Sequence, residues 1–268
     1  MSEQTLRVAV TRQEPGQEPR DEMFDVPFDE RTSVLDALDW IKDHAEPGLT
    51  FRWSCRSGVC GSCGVMVNGR PVLSCETTVA GYRTSGLTVG PLENARVQRD
   101  LAVDTEGFVA KLREVKPWLL SDPDSSSIAP CSQNNDEGIA RSPQGGVAAE
   151  CSLPNDIEGC SLPMHTQTPQ QAAMFADYSA CINCLLCYSA CPVLTEVPDF
   201  LGPAAIALAR RWDLDSRDEG AATRAEILIE NEFGIWPCNQ NGACTRACPK
   251  DVDPARAIRD TQREALSG

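Results

Sequence analysis

The sequence predicts an α+β chain in two parts: a mixed β module with one helix over residues 1–100, then a helical module over 101–268. Three observations predict it. Alternating apolar residues and an Asn-Gly turn mark strands in the first part. Apolar residues at helical spacing, behind Gly-Pro and Asp-Pro starts, mark helices in the second. The cysteines, 14 in 268 residues, fall into groups that respect the same division.

Leu6, Val8 and Val10 alternate as a half-buried strand does, and residues 23–28 read as a returning strand. Ser33 followed by Asp36 is a capping-box start, and Leu35, Leu38 and Ile41 share a helical face, which predicts a helix over about 33–45. Val65–Val67, Asn68-Gly69 and Val72-Leu73 form a hairpin signal, because Asn-Gly suits a type I′ turn. Leu87–Val89 reads as a closing strand. Phe108, Leu112 and Val115 then lie on one helix face that stops at Lys116-Pro117. Gly202-Pro203 opens a helix continued by Ile206, Ala209 and Arg210. Residues 225–233 read as a helix capped by Gly234. Asp253-Pro254 opens the last one. Between them, residues 121–170 are rich in Ser, Pro, Gly, Asn and Gln, and read as an irregular acidic insertion.

Cysteine makes up about 5% of the chain, below the ~8–10% of a small disulfide scaffold, and the length is ample for ordinary cores. The first residues have no signal pattern, and no run approaches the ~18 apolar residues of a membrane span. A reducing compartment is therefore expected, in which thiols serve as ligands more often than as disulfides. The net charge of −15 and the lack of a basic stripe exclude nucleic acid as a partner. Two histidines leave little for histidine-based chemistry.

Cys55, Cys60, Cys63 and Cys75 have the C-x4-C-x2-C…C spacing of plant-type [2Fe–2S] ligands. Small residues between them let backbone wrap closely round inorganic sulfur. Structural zinc, the competing reading, usually shows two C-x2-C knuckles, and here there is one. Cys181, Cys184, Cys187 and Cys191-Pro192 form the bacterial ferredoxin run, whose fourth cysteine ligates the other cluster. Cys238, Cys244 and Cys248-Pro249 resemble a second run with Asn241 where a cysteine would stand. The pair therefore reads as crossed. Cys181, Cys184, Cys187 and Cys248 would hold [4Fe–4S], and Cys191, Cys238 and Cys244 would hold [3Fe–4S]. A second [4Fe–4S] completed by Asn241 or water is the alternative. Cys131, Cys151 and Cys160 lie in the insertion at spacings that match no metal site, with His165 nearby; free thiols are expected.

These residues resemble the iron–sulfur subunits of succinate dehydrogenase and fumarate reductase. The likeness runs through Phe51-Arg52-Trp53-Ser54-Cys55, CGSCG at 60–64, RDL at 99–101, CINC at 181–184, GPAAIALARRW at 202–212, DSRDEG at 215–220 and CPKDVDP at 248–254. It is nearest the fumarate reductase branch through CINCLLCYSACP and the GPAAI…DSRDEG stretch. The resemblance implies a β-grasp, plant-type ferredoxin-like domain over 1–100 and an all-α dicluster ferredoxin-like domain over 101–268. It implies a flavoprotein partner that interconverts succinate and fumarate at FAD. It implies a membrane anchor with a quinone, menaquinone or ubiquinone, on the cytoplasmic side of a bacterial inner membrane. Electrons would run between flavin and quinone through the three clusters. Pro192, Asn239, Gln240, Arg259 and Gln262 are the candidates near quinone. Residues 192–196 lack the tryptophans that succinate-oxidising members often carry there. Gln262, flanked by Arg259 and Arg263, stands where fumarate reductases often have lysine. The competing function is a stand-alone ferredoxin-type carrier.

Overall fold

A computed structural model describes residues 4–120 and 167–267. The expectations for Cys131, Cys151, Cys160 and His165 lie outside the described residues.

The N-terminal part is a five-stranded mixed sheet in the order β2-β1-β5-β3-β4. Strands β1 (Gln4–Arg12) and β2 (Arg20–Phe28) pair antiparallel, with Val8 opposite Phe24. Helix α1 (Val34–His44) starts on a full capping box: the Ser33 hydroxyl accepts from the Asp36 N–H, and the Asp36 carboxylate accepts from the Ser33 N–H. Such a cap contributes about 1 kcal/mol. Strands β3 (Gly64–Val67) and β4 (Arg70–Leu73) close the expected hairpin, with Asn68 and Gly69 both at positive φ as type I′ requires. Strand β5 (Leu87–Gly90) lies between β1, to which it is parallel, and β3, to which it is antiparallel. Val8, Val10, Val26, Val65, Val67 and Val89 join Leu38 and Ile41 of α1 in one core.

A short hairpin, β6 (Val97–Arg99) and β7 (Ala102–Val103), leads out of the sheet across residue 100. Its turn residue Asp100 is buried and accepts from Arg12 Nε, the Gln13 N–H and the Thr50 N–H. Helix α2 (Glu106–Glu114) buries Phe108 and Leu112, with Val115 behind them.

The remainder is helical. The elements are α3 (Pro169–Ser179), α4 (Leu186–Ser189), α5 (Pro192–Glu196), α6 (Pro203–Asp213), α7 (Ala221–Ala225), α8 (Ala243–Arg246) and α9 (Pro254–Ser267). Ala204, Ala205, Ile206 and Ala209 bury the short-side-chain face of α6, which packs against α3 and α9. Asp253 caps α9 by accepting from the Arg256 N–H.

Two expectations need correction. Helix α3 begins at Pro169, inside the stretch read as irregular, because Thr168 and Gln171 form a reciprocal capping box. The helix read over 225–233 begins at Ala221 instead, and from Glu226 to Glu230 it widens into one π-helical turn. Asp218 starts it early by accepting from the Gly220 N–H. Gly234 is not a left-handed cap. It is needed because a Cβ there would lie 2.1 Å from the Leu228 carbonyl oxygen.

The core does not divide at residue 100. Cys63, Met66, Leu73 and Leu92 from the sheet side share one apolar cluster with Phe108, Leu186, Cys191, Leu201 and Ile206.

Candidate iron–sulfur centres

The first cysteine set is assembled by a loop and a hairpin. Cys55 and Cys60 lie in the loop that precedes β3. Cys63 stands just before β3 and Cys75 just after β4, so strand pairing brings their sulfurs to 3.3 Å. Arg56, Gly58 and Gly61 are all left-handed and curl the loop so that its N–H groups point inward. Cys55 Sγ accepts from the N–H groups of Ser57, Val59 and Cys60 at 3.3–3.4 Å, and Cys75 Sγ from that of Gly58 at 3.3 Å. The Ser57 and Cys60 N–H groups bring the Cys55 thiol down to about 6, whereas burial pushes Cys75 up to about 11. Cys60 is exposed and Cys63 buried, so one side of the set faces solvent and the other faces the shared core.

The remaining seven described cysteines fall in two groups. Cys181, Cys184, Cys187 and Cys248 line one apolar cavity with Leu185, Ala204 and Val252. Burial pushes the Cys184 thiol up to about 11 and Cys187 well above its ordinary value; charge on the others of the group adds to both, and charge at Cys244 adds at Cys187. Cys191, Cys238 and Cys244 form the other group. Burial raises Cys244 to about 11 and also raises Cys238, and charge at Cys191 acts on both. Four thiols lining one apolar cavity could hold a metal–sulfur cluster, whose binding would draw off their protons. Among the described residues, no three His, Cys, Asp or Glu side chains converge closely enough for a single metal ion; a cage with its own inorganic sulfur needs a wider ring of thiols.

The two runs are copies of one backbone unit, 57 residues apart. Asn183 and Leu185 are left-handed in the first; Gln240 and Gly242, in the same places, are left-handed in the second. Helices α4 and α8 occupy equivalent positions. Asn241 therefore stands where Cys184 stands in the first copy. Its side-chain oxygen accepts from the Ala243 N–H at 2.8 Å.

The quinone-side candidates separate. Gln240 Nε2 donates to Gln262 Oε1, and Gln262 Nε2 donates to the Ile235 carbonyl, each at 2.8 Å. The Gln240 N–H also reaches Cys238 Sγ at 3.5 Å, and Ile235 precedes the half-exposed Trp236. Asn239 is two residues from Asn241 and accepts its N–H. Arg259 is exposed one turn before Gln262 on α9, and Pro192 opens α5 next to Cys191. Arg263 turns instead to Asp260.

Sequence reasoning missed three residues here. Asn94 Nδ2 donates to the carbonyls of Tyr188 and Cys191, at 2.8 and 2.9 Å, and its oxygen accepts from Thr195. Lys111 Nζ donates to the carbonyls of Pro198 and Phe200, over the Tyr188 ring and close enough to feel charge at Cys191; burial lowers its pKa. Tyr188 fills the space between Phe108 and Gly202 and donates to the Leu201 carbonyl. Each acts across a long sequence separation, so no local pattern announces it.

The sheet-borne cysteine loop and the duplicated helical cysteine unit define an electron-transfer protein with separate iron–sulfur modules. Comparison with known families agrees: residues 7–110 match the 2Fe-2S iron-sulfur cluster binding domain and residues 177–252 the 4Fe-4S dicluster domain. The chain is 42% identical to the fumarate reductase iron-sulfur subunit of Mycobacterium tuberculosis, over 95% of this chain and 89% of that one. It is 39% identical to the Haemophilus influenzae subunit of the same name, over 97% and 93%. Its fold matches a chain of the Mycobacterium smegmatis Sdh1 complex with a TM-score of 0.74 at 22% identity, covering 99% of this chain and 97% of that one. The chain belongs to the iron–sulfur subunits of fumarate reductase and succinate dehydrogenase, and its role is electron transfer within such a complex.

Proposed function

We propose that this subunit relays electrons between the FAD of a flavoprotein partner and a quinone held at a membrane anchor. Residues 1–100 would form a β-grasp ferredoxin domain and 101–268 a dicluster ferredoxin domain. Cys55, Cys60, Cys63 and Cys75 would hold [2Fe–2S]. Cys181, Cys184, Cys187 and Cys248 would hold [4Fe–4S], and Cys191, Cys238 and Cys244 would hold [3Fe–4S]. The clusters supply one-electron chemistry; the chain itself makes no bond. Its residues space the centres, exclude water from the buried sulfurs and aim N–H groups at the exposed ones.

The observation that supports this reading is that Cys181, Cys184, Cys187 and Cys248 line one cavity that Cys191, Cys238 and Cys244 do not. Gln240 and Gln262, with Asn239 and Arg259 next to them along the chain, and Pro192 beside Cys191, are where a quinone would be met. Attachment would be through anchor subunits on the cytoplasmic side; no described helix is long and apolar enough to cross a membrane. The test is electron paramagnetic resonance of the oxidised, anaerobically purified complex. A three-iron signal is expected. Its absence from iron-replete protein sinks the [3Fe–4S] assignment in favour of a four-iron centre completed by Asn241 or water. Cys191→Ser should abolish quinone-linked activity while dye reduction through the flavin persists.

A further inference from the structure

The structure assigns to Gly61 of the CGSCG stretch a positioning role beyond wrapping its own cluster: it is a contact at which the first cysteine set meets the second. This inference rests on the cluster assignment above. Gly61 lies between Cys60 and Cys63, and its φ is +73°. A Cβ at this position would lie 2.9 Å from the Cβ of Cys184, 2.9 Å from the Ile182 carbonyl oxygen and 3.0 Å from the Cys184 Cα. Two of these are backbone atoms, which cannot swing aside. Gly64, on the other side of Cys63, faces the same loop: its Cβ would lie 3.3 Å from the Cys184 carbonyl oxygen, 3.2 Å from Leu186 and 3.0 Å from Leu92. Both glycines that bracket Cys63 therefore press the first loop against Cys184.

The contrast with other left-handed glycines isolates the effect. Gly58 would meet only the carboxylate end of Glu76, and Gly69 would meet nothing within 4 Å. Gly61 alone of these three excludes a side chain on account of a cysteine assigned to another centre. From Gly61, covalent bonds lead back to Cys60 and onward to Cys63; across the contact, Cys184 is itself an assigned ligand. Centres held by the two sets would exchange a single electron, lost by one and gained by the other, with no proton or bond moved. Such transfer weakens steeply with separation, and a side chain at position 61 would push the two loops apart.

The test uses the purified complex with all centres present. In Gly61→Ala the loops must part. The magnetic interaction between the two reduced centres, read as enhanced spin relaxation of the [2Fe–2S] signal, should weaken. In rapid-freeze samples the second set should fill severalfold later than the first. Gly69→Ala imposes comparable left-handed strain at φ +75° in the same module, away from the contact, and should change neither reading. If Gly61→Ala loses the [2Fe–2S] spectrum, Gly64→Ala, which needs no left-handed backbone, takes over with the same expectation. Wild-type relaxation and no lag in a variant that keeps all its centres overturns the inference and leaves the cluster assignment standing. A wild-type complex lacking these clusters sinks the assignment itself.

Discussion

Asn241 sets the second half of the cysteine repeat apart from the first, and Lys111 sits near Cys191, a proposed ligand of the centre that Asn241 leaves incomplete. Because left-handed residues and short helices coincide in both copies, a thiol at 241 would take the position that Cys184 holds in the first. Asn241→Cys should therefore convert the proposed three-iron centre to a four-iron one. The three-iron resonance of the oxidised complex should disappear, and iron content should rise by about one atom per chain. An unchanged resonance with full iron would show that the backbone copy does not extend to the ligand position. Lys111 makes a separate prediction. Its ammonium faces Tyr188, next to Cys191, from a partly buried position, and a cation there favours the electron-rich form of the neighbouring centre. Lys111→Met should shift the midpoint potential of that centre negative in a redox titration and leave the [2Fe–2S] potential in place. The cysteines themselves were legible, because ligand spacing is a local property of the chain. Lys111 was not, since its relation to Cys191 exists only once α2 packs against the Pro198–Phe200 segment.

At the scale of elements, α7 is held by charge. The Arg224 side chain is fully buried and reaches Asp218 through two nitrogens, at 2.7 and 2.8 Å, Asp213 at 3.1 Å, and the carbonyls of Lys116 and Trp118. The two acids respond in opposite directions. Burial opposes ionisation of Asp218, yet the paired Arg224 bonds and the Leu120 and Gly220 N–H groups hold its pKa below the ordinary value. At Asp213 burial wins over the single Arg224 bond, and its pKa is pushed up to about 6. Arg224→Ala leaves Asp218 buried without its cation and should cost about 3–5 kcal/mol, read by chemical denaturation. Asp213 gives a pH signature. Its folded pKa lies above its unfolded one, so between about pH 4 and 6 the folded state binds the extra proton and gains stability as pH falls. Measured against Asp213→Asn, the wild type should gain stability from pH 6 towards pH 4. A difference independent of pH across that range would contradict the raised value. This network explains the misread helix boundary. Apolar spacing placed the start near 225, but Asp218 and Arg224 fix it at Ala221 through contacts with residues about a hundred positions away. Helix α1 and the β3–β4 hairpin were legible because a capping box and an Asn-Gly turn act within a few residues.

For the whole molecule the decisive feature is that two modules distinct in sequence share a core. Met66, Leu73 and Leu92 project from the sheet side into the cluster that Phe108, Leu186, Phe200 and Ile206 build from the helical side. Polar contacts reinforce the joint: Ser189 Oγ accepts the Glu93 N–H, and Asn94 spans the carbonyls on either end of the turn that leads to Cys191. Splitting the chain at residue 100 would expose three large apolar side chains, each of which contributes about 1.5–3 kcal/mol when buried. The division read from composition and cysteine grouping marks where one type of secondary structure gives way to another, and the packing crosses it. The full chain should therefore unfold as one cooperative unit. Visible absorbance of the [2Fe–2S] set reports the sheet module, and far-ultraviolet circular dichroism is dominated by the helices; under denaturant the two transitions should coincide. Asn94→Ala removes both carbonyl contacts and should move the two midpoints down together, by about 1–3 kcal/mol for buried carbonyls left without a donor. Separate transitions in the wild type, with the visible chromophore lost while helicity stays intact, would mean that the shared cluster is a contact between independent domains. Coincident transitions would mean that the spacing of the centres is fixed by the same packing that makes the chain fold.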